Sequence, residues 1–216
     1  TTAGTSNVRF GVNAGNSIQS GGNYNVAVGD EAGTAINTGD ENTVVGYKAG
    51  EAVTTGVRNT LIGATAGDEI VGGERNTAVG YGALHSETEG DRNTAVGVFA
   101  LSTQNTSTGG NVYNTGIGYG AGNAITTGVR NVIVGAQALD AETQGSRSVA
   151  VGYATLSAQN FTTATDVYNT AVGHAAGLSV TTGTLNTLIG GLAGDALTTG
   201  FNNVAVGTSA LSAEDT

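Results

Sequence analysis

The sequence predicts an all-β fold, a parallel β-solenoid (β-roll) of about twelve coils with 17 residues each. Three observations support this prediction. Glycine contributes 37 of the 216 residues and aromatic residues only 5%, a composition that does not suit an ordinary globular core. A segment of the type Asn-Thr-Ala-Val-Gly recurs along the whole chain. Each copy has β-branched residues on one face and ends at a glycine, as a short strand running into a turn does.

The glycine that closes this segment serves as the anchor of the repeat. Successive anchors are 17 residues apart, except for one interval of 18 and two of 21, and the longer two follow Gly97 and Gly152. No linker or change of composition separates the coils, so we expect one continuous array over residues 1–216. Because the first residue is not Met, we expect this array to be part of a longer fibre. The anchors are Gly11, Gly29, Gly46, Gly63, Gly80, Gly97, Gly118, Gly135, Gly152, Gly173, Gly190 and Gly207.

The residues before each anchor predict one strand per coil. The residue one before the anchor is always apolar and the residue three before is always Thr or Val, so these two share one face of the strand. Four before the anchor, Asn occurs in every coil except at Ser148. Stacked Asn side chains can hydrogen-bond from coil to coil, or each can satisfy its own turn. Both alternatives are structural.

The residues after each anchor predict a core pocket of fixed volume. The fourth residue is either Gly or Leu. Where it is Gly, as at Gly50, the seventh residue is aliphatic; where it is Leu, as at Leu84, the seventh is Glu or Gln. Because a close-packed interior tolerates neither a void nor a double filling, one side chain per coil should fill the pocket. A second glycine, ten residues after the anchor in coils without an insertion, predicts the second turn of a coil with two strands.

Each predicted coil offers few aliphatic side chains, and their burial barely offsets the entropy lost when the residues of the coil become ordered. We therefore expect the chain to self-associate. The strand face that we expect to form this contact carries the residues two before the anchor, such as Ala95 and Ala171. Small side chains on that face would allow neighbouring chains to approach closely.

The motif Asn-Thr-Ala-Val-Gly-x-x-Ala resembles the Ser-Val-Ala-Ile-Gly-x-x-Ser/Ala repeat of YadA-like heads in trimeric autotransporter adhesins, and related repeats occur in bacteriophage tail fibres. The resemblance extends over the whole chain, although the adhesin heads have shorter coils than the 17 residues found here. It implies a left-handed β-roll, a homotrimer and an extracellular location on a virion tail fibre or a bacterial surface. The implied function is that of a structural, non-enzymatic rod that supports or contributes to host attachment.

The side-chain inventory predicts no enzyme. Cys is absent, and the two histidines, His85 and His174, are far apart in the sequence with no carboxylate cluster beside either, which argues against a metal site or a catalytic triad. The segment 116–121 matches a relaxed dinucleotide fingerprint, but another coil follows it rather than a helix. Some β-rolls bind calcium through Asp-bearing nonapeptides, which this chain lacks. We expect no catalytic residue, no metal and no cofactor.

Charge and hydropathy also exclude some partners. The net charge is −10 with only seven Lys and Arg residues, which argues against nucleic acid or an anionic membrane as a partner. No apolar stretch approaches the length of a membrane span.

Arg58, Arg75 and Arg92 lie five before an anchor and would stand one coil apart. Since like charges repel, we expect Glu74 and Asp91, or carboxylates of a neighbouring chain, to compensate.

Tyrosines occupy two repeat positions, and four of them directly follow an anchor. Such rings could stack on sugars or cap the ends of the core. The alternative function is therefore a glycan-binding solenoid whose exposed Tyr or Thr rows bind the ligand directly. Ice is a further ligand for Thr rows such as Thr54-Thr55, but the row is interrupted at Glu87-Thr88-Glu89. The four tyrosines are Tyr47, Tyr81, Tyr119 and Tyr153.

The two insertions are the other candidate contact sites. Segments 104–111 and 159–166 are polar and lack the second glycine turn, so we expect them to loop out where contact residues concentrate. Phe161 has no packing role in the repeat scheme and is the best candidate for contact with a cell-surface glycan, a protein receptor or a neighbouring chain. Asn160 and Asn105 are candidates beside it. The alternative is that the insertions only brace adjacent chains.

Overall fold

The computed structural model describes residues 4–212, which form a parallel β-solenoid of about twelve turns, most of them 17 residues long. The predicted all-β solenoid is confirmed. Residues 4–212 contain no helix, and so none with the length and hydropathy that crossing a membrane requires. The chain divides into two compact units, one up to Val112 and one from Tyr113.

In the first unit, one three-residue strand from each coil joins a parallel ladder. The register advances by one coil at each step, so that Val8 pairs with Val26 and Thr43 pairs with Thr60. The ladder contains β1 (Val8–Phe10), β2 (Val26–Val28), β3 (Thr43–Val45), β4 (Thr60–Ile62), β5 (Thr77–Val79) and β7 (Thr94–Val96). A separate parallel pair contains β6 (Gly90–Asp91) and β8 (Gly110–Asn111).

The second unit repeats this arrangement. Its register also advances by one coil at each step, and the step is longer at the insertion, where Val149 pairs with Thr170. Its ladder contains β9 (Thr115–Ile117), β10 (Val132–Val134), β12 (Val149–Val151), β14 (Thr170–Val172), β15 (Thr187–Ile189) and β16 (Val204–Val206). A separate parallel pair contains β11 (Gly145–Ser146) and β13 (Thr165–Asp166).

The segment after each anchor consists of turns in most coils, so the prediction of two strands per coil is wrong for most of the described chain. The pairs β6–β8 and β11–β13 are the exceptions. Backbone hydrogen bonds nevertheless join these turns to the next coil, as from Gly33 N to the Ala49 carbonyl (2.9 Å) and from Gly50 N to the Ala66 carbonyl (3.0 Å).

Left-handed residues make these turns. At the anchor Gly46, φ is 135° and a Cβ would lie 2.5 Å from the Gly63 carbonyl oxygen, so only glycine fits there. Three further repeat positions are left-handed without being restricted to glycine: five before the anchor, and two and four after it. Arg58 (φ 61°), Lys48 (56°) and Leu84 (53°) represent them. Each such residue costs about 1–2 kcal/mol, which the bonds between coils must offset.

The core lies on the strand face opposite to the one that we expected. Ala95 and Ala171, two before their anchors, are completely buried within their own chain, whereas Thr94 and Val96 on the other face are partly exposed. The prediction that the Ala95 and Ala171 face forms the contact between chains is therefore wrong. The reason is that the pocket after the anchor lies against this face: a Cβ at Gly50 would be 2.8 Å from both Val44 and Leu61 side-chain atoms.

The pocket rule is confirmed for the aliphatic side chain. The expectation that only one of the two positions is buried is wrong where the fourth residue is Leu, because the polar seventh residue, such as Glu87 or Gln104, is also fully buried. Leu84 and Leu139, four after their anchors, are fully buried, and so are Val53 and Ile125, seven after theirs. At Gly67 a Cβ would lie 2.8 Å from Leu61 Cδ2 and 2.9 Å from Ile70 Cδ1. The pocket of that coil is therefore already full.

We predict that Gly67→Leu destabilises the fold by about 1–3 kcal/mol through overpacking. The backbone accepts leucine, because φ is 55° at Gly67 and 53° at Leu84. Ile70→Ala alone should cost about 2–5 kcal/mol through the cavity that it leaves. The double variant should lose less stability than the sum of the two, as measured by urea unfolding. Strict additivity would contradict the shared pocket.

Candidate functional site

The outer face consists of the residues one and three before each anchor, and it points away from the core in both units. In β3, β5, β12 and β14 these residues are partly exposed while the central residue is buried. Ile62, Ile117 and Ile189 are each 37–40% exposed. Thr, Val, Ile and Phe are the only residue types at these positions. A row of partly exposed apolar side chains without charge is typical of a contact surface rather than of a solvated one.

The predicted contact tyrosines lie on the outside of the solenoid. Tyr47, Tyr81, Tyr119 and Tyr153 are each 51–58% exposed. Tyr81 meets Phe99 edge to face with ring centroids 5.2 Å apart, and Tyr153 stacks on His174 at 5.4 Å. The rings therefore cover the surface and do not fill the core.

Acidic side chains of the same chain compensate the arginine row. Arg75 pairs with Glu74 and Arg92 with Asp91, as expected from the sequence, and Arg58 Nε lies 2.8 Å from Glu41 Oε2 on the preceding coil. In the second unit Arg147 pairs with Asp166. These ion pairs are exposed or partly exposed, so they contribute little to stability. They satisfy the charges without a neighbouring chain.

Of the two alternatives that the sequence left open for the asparagines, the structure shows the coil-to-coil ladder. Asn42 donates to Asn25 Oδ1 through its backbone N–H (2.9 Å) and its Nδ2 (3.1 Å), and Asn59 N–H donates to Asn42 Oδ1 in turn (3.0 Å). Asn42 Nδ2 also donates to the carbonyl of Gly56, the second glycine of the repeat (2.8 Å). The side chains of Asn25, Asn42 and Asn59 are fully buried. The ladder thus ties the strand to the turn before the next strand.

A buried carboxylate holds the first insertion. Glu87 is fully buried, and its Oε1 accepts hydrogen bonds from the backbone N–H of Thr88 (2.9 Å) and Gly90 (2.8 Å) in its own turn. The same oxygen accepts the backbone N–H of Thr106 (3.1 Å) and its hydroxyl (3.0 Å) in the insertion. Gln104 Nε2 donates to Oε2 at 2.8 Å. The insertion is therefore fixed at its start by one side chain of the preceding coil.

The second insertion is held in the same way. Glu142 Oε1 accepts the backbone N–H groups of Gly145 (2.7 Å) and Phe161 (3.0 Å), and its Oε2 accepts Gln159 Nε2 (2.8 Å). Gln159 also takes part in the asparagine ladder at Ser148, the one repeat position without its Asn. Its Nε2 lies 3.2 Å from Ser148 Oγ, and its Oε1 accepts Asn169 Nδ2 at 2.8 Å, so Gln159 completes the ladder.

Phe161 is buried in its own chain, with 8% of its surface exposed. The prediction that it lacks a packing role and projects from the insertion is therefore wrong. Asn160 beside it is exposed, and Asn105 is partly exposed. The insertions project only in part, because their far ends return to the solenoid as β8 and β13 and pair with the preceding coil.

His85 lies beside two acidic side chains, Asp68 and Glu69. Its Nδ1 is hydrogen-bonded to Asp68, and Glu69 Oε1 lies 4.0 Å from its Nε2. Partial burial raises the pKa of Asp68, although the hydrogen bond with His85 acts in the opposite direction. Within residues 4–212, no group of three His, Asp or Glu side chains is arranged to hold a metal ion.

The sequence reasoning missed Glu87 and Glu142. A usable signal was present, since Glu87 and Glu142, each seven after an anchor, are followed 17 residues later by Gln104 and Gln159, and an insertion follows each Gln. Glu214 has the same repeat position but lies outside the described residues.

Comparison with protein families, curated proteins and solved structures finds no match to this chain.

We predict that Glu87→Ala frees the first insertion. Backbone donors in the turn and in the insertion would lose their acceptor, and each buried unsatisfied group costs about 1–3 kcal/mol. Hydrogen–deuterium exchange should accelerate in the peptide covering 104–111. Glu89→Ala, which changes a partly exposed carboxylate of the same turn, is the matched control and should leave that peptide protected. Equal protection in both variants would contradict the anchoring role.

Proposed function

We propose that the chain is a structural, non-enzymatic fibre segment that self-associates through its outer face, with a homotrimer as the assembly that the sequence resemblance implies. The observation that carries this proposal is the composition of the outer face. At its two positions in each coil it presents only Thr, Val, Ile or Phe and no charged residue, in a chain with a net charge of −10. Depletion of charge with retention of apolar surface distinguishes interface centres from solvated surfaces.

The thin core supports the same proposal. The strand of a coil contributes at most one buried side chain, and this is an alanine at Ala27, Ala78, Ala95, Ala150, Ala171 and Ala205. Burial of the outer face against other copies would add apolar area in every coil, at about 25 cal/mol per Å². The repeated coil would give each copy the same contact many times along its length. Such a rod would act outside the cell, as part of a tail fibre or surface adhesin that supports or contributes to attachment.

The test is the oligomeric state of the purified chain. We expect sedimentation equilibrium to give a trimer, and we expect Val79→Lys with Val134→Lys to reduce it to smaller species, since both valines lie on the outer face and are partly exposed. Thr55→Lys with Thr127→Lys adds the same charge at exposed positions elsewhere in each unit and should leave the trimer intact. A folded monomer of the unmodified chain would contradict the proposal.

Direct glycan binding is the second candidate, and the half-exposed tyrosines favour it. In each unit two of them are separated by one coil that carries alanine at that position: Tyr47 and Tyr81 by Ala64, and Tyr119 and Tyr153 by Ala136. Two coils correspond to about 10 Å, and amphipathic rings at such intervals could stack on alternate sugars of an extended glycan.

Calorimetric titration with extended oligosaccharides tests this second candidate. The prediction is that Tyr81→Ala and Tyr153→Ala each weaken binding while leaving circular dichroism unchanged. Tyr24→Ala, which removes an exposed ring at the other tyrosine position, serves as the control and should have no effect. Unaltered affinity in all three variants would assign the tyrosines no role in ligand binding.

A further inference from the structure

Both insertions contain an Asn-X-Ser/Thr tripeptide directly after their first residue. The chain contains twenty asparagines, and only two of them have Ser or Thr two residues later. These are Asn105, in Asn105-Thr106-Ser107, and Asn160, in Asn160-Phe161-Thr162. The two occupy the same repeat position, directly after the buried Gln104 and Gln159.

These two asparagines differ from those of the ladder in the hydrogen bonding of the side-chain nitrogen. Asn105 Oδ1 accepts a hydrogen bond from Thr88 Oγ1 (3.0 Å), and Asn160 Oδ1 accepts one from Thr143 Oγ1 (2.9 Å). Neither Nδ2 donates to any residue in the described range 4–212. The carboxamide is therefore held through its oxygen, at an exposed or partly exposed position, with its nitrogen directed to no protein acceptor.

Packing accounts for the asparagines but not for the hydroxyl groups two residues later. Thr106, within the first tripeptide, uses its hydroxyl to bind Glu87. Ser107 and Thr162 are exposed, and neither hydroxyl bonds to any residue between 4 and 212. A hydroxyl without a structural role therefore recurs two residues after an asparagine with an unused nitrogen, once in each insertion.

We propose that Asn105 and Asn160 are N-glycosylation acceptors. Asn-X-Ser/Thr with an accessible asparagine is the sequence that N-linked glycosyltransferases require. The donor is a sugar linked through its anomeric carbon to a diphosphate, carried by a lipid or a nucleoside. The asparagine Nδ2 loses one proton and bonds to the anomeric carbon. The bond from that carbon to the donor oxygen breaks, and the diphosphate leaves with the bonding electrons.

This modification goes beyond the proposed fibre function and does not depend on it, because it requires only that the insertions are accessible. The attached sugar would project from the two places where the repeat is interrupted. In the ladder, by contrast, Asn25, Asn42 and Asn59 are buried and use their side-chain nitrogens in hydrogen bonds.

The experiment expresses the whole chain in two hosts, one with a lipid-linked donor and its transferase, the other with a cytoplasmic transferase that uses nucleotide sugars. Peptide mass spectrometry then measures the occupancy of Asn105 and Asn160. We expect both to carry sugar in at least one host, and the host identifies the donor class. Absence of sugar at both sites in both hosts would overturn the proposal.

Matched variants separate sequence recognition from nonspecific modification. Ser107→Ala and Thr162→Ala should abolish the sugar at Asn105 and Asn160 respectively, while both asparagines remain. Thr108→Ala and Thr163→Ala remove the neighbouring exposed hydroxyls and should leave occupancy unchanged. Because all four changes are at exposed positions, circular dichroism should be the same in every variant. Sugar that persists in Ser107→Ala and Thr162→Ala would also overturn the proposal.

Discussion

The close spacing of successive coils is the constraint on which the rest of the structure depends. At the anchors the backbones approach so closely that a Cβ at Gly63 would lie 2.5 Å from the Gly80 carbonyl oxygen. The backbones are similarly close at the second glycine, where a Cβ at Gly56 would lie 2.6 Å from the Gly73 carbonyl oxygen. The Asn ladder spans the same gap with hydrogen bonds of 2.8–3.1 Å. An anchor glycine recurs in every coil, and asparagine in every coil but one, because few other residues satisfy this spacing.

The sequence was sufficient to predict the repeat, the parallel solenoid and the aliphatic filling of the pocket, because each is repeated many times within the chain and internal comparison exposes the rule. For the asparagines it left a ladder and a local turn as alternatives. It was not sufficient to identify the buried strand face. Ala95 and Val96 are both apolar and adjacent, so alternation alone leaves two assignments. The pocket after the anchor decides between them, and its position relative to the strand is set by left-handed residues such as Lys48 and Arg58, which no sequence rule marks as turn formers.

In the insertions, the residue that looked unusual in the sequence did not have the expected role, and the residue that holds the insertion looked ordinary. Phe161 stood out in the sequence because it fits no position of the repeat, and the structure places it inside, with its backbone N–H on Glu142. Glu142 stood out less, because its place in the repeat alternates between aliphatic and polar residues. Its role depends on donors from two separate segments: Gly145 in its own turn, and Gln159 and Phe161 in the insertion. A contact that occurs only once per insertion cannot be found by averaging over coils.

The buried Glu–Gln pairs have a consequence for how such a chain finds its register during folding. Nearly identical coils can pair one repeat out of step with little loss of contact, and repeat proteins misfold in this way. A slip of one coil at the second insertion would place Glu142 against Val180 instead of Gln159. The carboxylate would then be buried without its donor, which is strongly unfavourable. The buried Glu–Gln pair therefore makes the correct register more favourable than one shifted by a coil.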